Sequence, residues 1–323
     1  MSMIQDKNYP QAFESTYLEV GEGHKIYLEQ LGDPKGIPII FLHGGPGSGF
    51  QHNHKLLFNQ KHIRLIMFDQ RGAGKSLPKR CLISNTTDHL VSDMEFIRKR
   101  LGIKQWIVVG GSWGSTLAIK YSETCPENVN GLILRSIFLG TDLEIHWAFS
   151  LAARKFRPEL WEKWVGLLPE KERLNPIKSY GKRLESDDPS IYLAAAQAWS
   201  DYEAVLSQIE SEAKFISSLK NFDKKNIDDG PNTPYFEWHY IKNNFFLKKN
   251  ELLENASVLK KIPGYIIQGR YDLLCPPQTA QKLSLKWKLG KLKIVDEGAH
   301  SANTGSMRIA LEESINSMVN SLL

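Results

Sequence analysis

The sequence predicts an α/β protein with a mostly parallel β-sheet covered by helices and interrupted by an inserted helical cap. Two observations carry this. Near both ends, short and almost continuously apolar runs alternate with helix-like stretches, as expected of strands buried on both faces. From about residue 141 to 244 that pattern stops, and Trp, Tyr, Ala and charged residues recur with helical periodicity.

Taken in order, residues 17–20 and 25–30 read as a hairpin turned at Gly21-Glu-Gly23. The apolar runs 38–42, 64–68, 106–110 and 132–134 read as buried strands, with helices over 87–101 and 115–121. Prolines at Arg157-Pro158, Asn175-Pro176 and Asp188-Pro189 divide the following segment into several helices. Strands return at 264–269 and 291–295, and a helix from about 305 to 323 closes the chain. The expected organisation is a core over 1–140, a cap over 141–244, and the rest of the core over 245–323.

Composition narrows the function. A chain of 323 residues, 41% hydrophobic and 24% charged, is ordinary for a globular protein. Its net charge of +5 comes from basic residues scattered among 36 acidic ones, so nucleic acid is not an expected partner. Cys81, Cys125 and Cys275 are far apart and form no CxxC pair, which predicts no metal knuckle and fits a reducing cytoplasm. The first residues carry no apolar leader, and no run approaches the ~20 residues of a membrane span. Neither export nor a membrane is expected.

Chemistry enters at Gly110-Gly-Ser-Trp-Gly114, a G-x-S-x-G string between a strand and a helix. A serine on such a turn exposes its hydroxyl above the sheet, and the helix that follows aims N–H groups at developing negative charge. A serine nucleophile needs a base, and the base an orienting group. Asp272 follows the strand at 264–269, and His300 follows the strand at 291–295. The chain order Ser112, Asp272, His300 suits a catalytic triad on one sheet edge. The oxyanion requires two donors. The Trp113 N–H is one, and Gly44 or Gly45, in His43-Gly-Gly-Pro-Gly47, supplies the other; His43 is read as shaping that loop. Gly-Lys75-Ser76 imitates the end of a phosphate loop, but Asp69 stands where that pattern needs glycine, so ATP is not expected.

Together with Asp69-Gln-Arg-Gly72, Gly269-Arg-Tyr-Asp272 and Gly298-Ala-His300-Ser, these strings resemble the prolyl aminopeptidase (proline iminopeptidase) family of α/β-hydrolases. The resemblance implies release of N-terminal proline from peptides without metal or cofactor. It also implies that two cap glutamates bind the substrate's free amine. Glu203, in Ala198-Trp-Ser-Asp-Tyr-Glu203, and Glu237, before Trp-His-Tyr240, occupy those places. Phe138 matches a family position in the proline pocket, and Trp147, Phe149 and Phe236 are candidate further walls. Two departures fall beside this expected wall: Tyr202 replaces the family's Trp, and Trp238-His-Tyr-Ile241 replaces Asn-His-Tyr-Phe. A related hydrolase of other small amides or esters, or a binding protein on the same scaffold, are the alternatives.

Overall fold

The computed structural model describes residues 9–59, 61–210, 218–219, 232–302 and 305–323. Its sheet strands are β1 (Ala12–Gly21), β2 (His24–Gly32), β3 (Ile37–Leu42), β4 (Ile63–Phe68), β5 (Trp106–Ser112), β6 (Val129–Ile137), β7 (Gly264–Gly269) and β8 (Gly290–Val295). They lie in the order β1-β2-β4-β3-β5-β6-β7-β8. β1 and β2 pair antiparallel, as do β2 and β4, and every later pairing is parallel. This is the α/β fold expected, with β1 reaching further back than its apolar residues suggested. β1 is an edge strand whose early residues are largely exposed, so continuous apolarity marks only part of it.

Alternation along the parallel strands builds two cores. Ile40, Leu42, Ile66, Phe68 and Val108 face one side, with α1 (Thr87–Arg100) and α2 (Trp113–Thr124). Ile39, Phe41, Leu65, Met67, Ile107 and Val109 face the other, where the closing helix Gly305–Asn320 packs. Beneath the first side, Arg71 makes a two-pronged ion pair with Asp93, both oxygens at 2.7 Å and both side chains almost fully buried.

Between β6 and β7 the chain makes a helical excursion: α3 (Asp142–His146), a π-helical turn (Trp147–Leu151), α4 (Ala152–Phe156), α5 (Pro158–Gly166), α6 (Pro176–Leu184), α7 (Pro189–Leu206) and α8 (Thr233–Lys242). It has its own aromatic core. Trp164 stacks on Tyr180 and Tyr202 at centroid distances of 4.7 and 4.3 Å, and Phe149 packs on Trp199 at 4.7 Å. Short helical turns, including α9 (Glu251–Asn255), lead back to β7, and α10 (Pro277–Lys286) connects β7 to β8. Numbered last is α11, the closing helix. β6 and β7 are sheet neighbours, so the excursion leaves and rejoins at adjacent strands.

Candidate active site

Ser112 is the last residue of β5 and precedes α2, with φ 56 and ψ −129. A non-glycine residue with positive φ is strained, and the surrounding packing enforces it. A Cβ on Gly110 would lie 2.2 Å from the Gly114 carbonyl, and one on Gly114 would lie 2.3 Å from that of Leu42. Only glycine at both positions lets α2 start this close to β3 and β5.

The loop after β3 passes beside the serine: the position a Gly44 Cβ would take is 3.7 Å from the Ser112 Cβ. A hydrogen-bond chain fixes this loop. The Gln70 N–H donates to His43 Nε2 at 3.0 Å, leaving Nδ1 to donate to the Gly44 carbonyl at 2.8 Å. The Gln70 side chain donates to the His43 carbonyl and accepts from Trp113 Nε1. Complete burial pushes His43 down to about 4, so it is a neutral loop former, as its sequence context suggested. The Lys75-Ser76 turn is structural too. Asp69 accepts from the N–H groups of Phe50 and Lys75, and Ser76 donates to the Asp69 carbonyl. Burial outweighs those bonds and raises Asp69 to about 6.

Asp272 and His300 follow β7 and β8 and meet above the sheet, with His300 Nδ1 3.0 Å from each Asp272 oxygen. Burial opposes the Asp272 charge, but the His300 ring and the Cys275 N–H hold its carboxyl below the usual value. The N–H groups of Leu274 and Cys275 bond Oδ1 at 3.0 and 2.8 Å. Arg135 Nη1 donates to the His300 carbonyl at 2.6 Å. The Cys275 thiol is within hydrogen-bonding reach of the Ser112 hydroxyl. Asp272, Cys275 and His300 form, among the described residues, a cluster whose potential metal-ligating atoms lie within 4.8 Å of one another. Asp272 and His300 are bonded to each other.

Ser112, His300, Gly44, Gly45, Glu203 and Glu237 all line one cavity of about 410 Å³. A small apolar recess of about 50 Å³ adjoins it, shared by Ser112 and the two glutamates and walled by Phe138, Phe149, Ile241, Phe245 and Cys275. Glu203 (α7) and Glu237 (α8) hydrogen-bond each other through their carboxyls. Two carboxyls joined in this way share a proton. Burial raises Glu203 to about 7; burial and the Glu203 charge raise Glu237 well above the usual value. Glu237 Oε2 is buried without a hydrogen-bond partner of good geometry; the Trp199 ring N–H, itself unpaired by that standard, lies close enough to work against the rise.

Two of the aromatic residues considered as walls lie elsewhere. Phe236 is buried against Gly47 and Gly72. Trp147 lines a different, larger cavity of about 670 Å³, which reaches the back of Asp272 but includes neither Ser112, His300 nor either glutamate. Of the departures from the family pattern, Ile241 walls the recess, while Tyr202 and Trp238 lie off it. Tyr202 is wholly buried in the excursion's core, donating to the Ala148 carbonyl at 2.8 Å, and Trp238 bonds Glu185 near the surface. Phe245, Cys275 and Arg135 are site residues that sequence reasoning missed.

A strand-turn-helix site of this shape on a mostly parallel sheet is that of an alpha/beta hydrolase, and that fold family matches residues 37–304. A proline iminopeptidase of Arabidopsis thaliana is 42% identical over 90% of this chain and 76% of its own length. One from Neisseria gonorrhoeae is 38% identical over 97% of this chain and 98% of its own. An alpha/beta fold family hydrolase from Bacillus anthracis superposes with a TM-score of 0.64 at 17% identity, covering 97% of this chain and all of the other. The chain belongs to the proline iminopeptidase family of alpha/beta hydrolases.

Proposed function

We propose that the protein is a serine aminopeptidase that releases N-terminal proline from peptides, using Ser112, His300 and Asp272 as its triad. The observation that carries this is the paired carboxyls of Glu203 and Glu237. They face the same recess as Ser112, with one buried oxygen lacking a donor of good geometry. An ammonium supplies the charge and N–H donors that such a pair lacks. The amino terminus of a bound peptide would then end against the excursion, and the pyrrolidine ring would pack on Phe138, Phe149 and Phe245.

With the ring seated, the scissile carbonyl lies over Ser112. His300 Nε2 takes the hydroxyl proton as Oγ attacks the carbonyl carbon, while Asp272 holds the ring with Nδ1–H inward. The N–H groups of Trp113 and of Gly44 or Gly45 stabilise the oxyanion. Collapse breaks the C–N bond, His300 returns the proton to the departing amine, and a prolyl ester remains on Ser112. Water, deprotonated by His300, then hydrolyses the ester and restores the hydroxyl. No helix among the described residues is long and apolar enough to cross a membrane. The free thiols of Cys81, Cys125 and Cys275 suit a reducing cytoplasm.

The test compares proline anilide with its N-acetyl derivative. An aminopeptidase of this design hydrolyses the first and refuses the second, whereas a general amidase or esterase built on the same core accepts both. Comparable turnover of the blocked substrate would overturn the proposal.

A further inference from the structure

The cavity beside Ser112 carries charge of both signs. Glu203 and Glu237 also line the apolar recess, and Arg135 and His54 do not. Arg135 and His54 instead border a separate void of about 60 Å³ lined by Gly110 and Gly111. The carboxyl pair and the guanidinium therefore flank the nucleophile on different sides.

Arg135 is incompletely partnered. A guanidinium carries five N–H donors, and the hydrogen bond made by this one goes to the His300 carbonyl. Among the described residues no carboxylate pairs with it. It feels the charge of Asp272, but the Asp272 oxygens already serve His300, Leu274 and Cys275. His54 is no rival cation, because burial, with the charge of Arg135 adding to it, pushes its ring down to about 4. The guanidinium occupies the space a Gly111 side chain would need, with Nη2 2.5 Å from the position of that Cβ. It therefore sits beside the residue that precedes Ser112, away from the recess that the glutamates share.

The geometry points to Arg135 as the recognition element for the carboxylate of a short substrate, giving the enzyme a preference for zwitterionic di- and tripeptides. This rests on the aminopeptidase reading above: the ammonium sits at the glutamate pair, the scissile bond over Ser112, and the carboxylate beyond. An extended residue spans about 3.3–3.6 Å, so only one or two residues past the scissile bond can deliver a carboxylate to a guanidinium this close. Peptide amides and longer chains forgo that charge-assisted contact.

The test measures kcat/KM for Pro-Ala and for Pro-Ala-amide with wild type, Arg135→Lys and Arg135→Met. The leaving amines differ in basicity, but identically for all three enzymes, so the acid-to-amide ratio compared between enzymes isolates Arg135. That ratio should be about tenfold higher in wild type than in Arg135→Met, the scale of one hydrogen bond to a charged group. Arg135→Lys, with a point charge in place of the fork, should fall between them. A loss of the same factor for both substrates in Arg135→Met would mean that the residue only supports the His300 loop, and would overturn the inference. So would an acid-to-amide ratio in Arg135→Lys equal to or above that of wild type. Failure of wild type to hydrolyse either dipeptide would instead count against the aminopeptidase reading.

Discussion

Replacing Glu203 by Gln in a Ser112→Ala background separates what the carboxyl pair costs the fold from what it contributes to binding. Glu203 is raised from 4.5 to about 7, chiefly by burial. Below pH 4.5 it is protonated whether the chain is folded or not, and it costs nothing. As pH rises from 4.5 to 7 the unfolded chain releases this proton while the folded one keeps it, so stability falls; above 7 the loss is complete. The displacement corresponds to about 3 kcal/mol, and the partial exposure of Glu203 reduces it to about 2 kcal/mol. Gln escapes this cost and can still donate to Glu237. The double variant should therefore melt about 3–6 °C above Ser112→Ala at pH 8, with the gap closing near pH 4.5. Prolinamide should reverse the order. It should raise the melting temperature of Ser112→Ala at pH 8 and leave the double variant almost unmoved. Thermal melts at both pH values, with and without prolinamide, check this. A Gln variant less stable than its parent at pH 8, or equally stabilised by prolinamide, would refute the reasoning.

Three further predictions follow from the same geometry. Ser112→Ala alone should lower kcat by about a millionfold with an unchanged circular-dichroism spectrum; a residual rate within a hundredfold of wild type would exclude Ser112 as the nucleophile. Phe138→Ala and Phe149→Ala should each raise KM for proline anilide by roughly tenfold, the scale of one lost apolar wall. Trp147→Ala should leave that KM unchanged. Arg71→Met strands the buried Asp93 carboxylate and should cost about 3–5 kcal/mol in urea unfolding, with no effect on substrate specificity.

A residue's position is easiest to read from sequence where it is tied to the chain's local path. Ser112, Asp272 and His300 each end a strand signal, and parallel strands bring such ends to one edge of the sheet. The recess walls were harder to read because consecutive helical residues point about 100° apart. Phe236 precedes Glu237 on α8 and turns to Gly47, while Ile241, one turn on from Glu237, shares its face and lines the recess. Tyr202 beside Glu203 is turned into the aromatic core in the same way. Trp147 and Phe149, two residues apart, reach different cavities. Phe245 carried no helical or strand signal, because it sits at a kink with φ 55. Arg135 stands among the apolar residues of β6, where periodicity reveals a strand but not which polar side chain it delivers under a loop.

The placement of the excursion between neighbouring strands has a consequence for how this enzyme could be altered. A different helical segment that keeps the core residues Phe236, Tyr240, Phe245, Leu252, Leu259 and Ile262 could replace the rest of the stretch between β6 and β7 without disturbing one rung of the sheet ladder, because the two ends to be joined already lie side by side. On the function proposed above, bond cleavage would stay with the scaffold, and the choice of amino terminus would leave with the removed piece. Chimaeras joined at those two ends are therefore a direct route to new selectivity on an unchanged nucleophile.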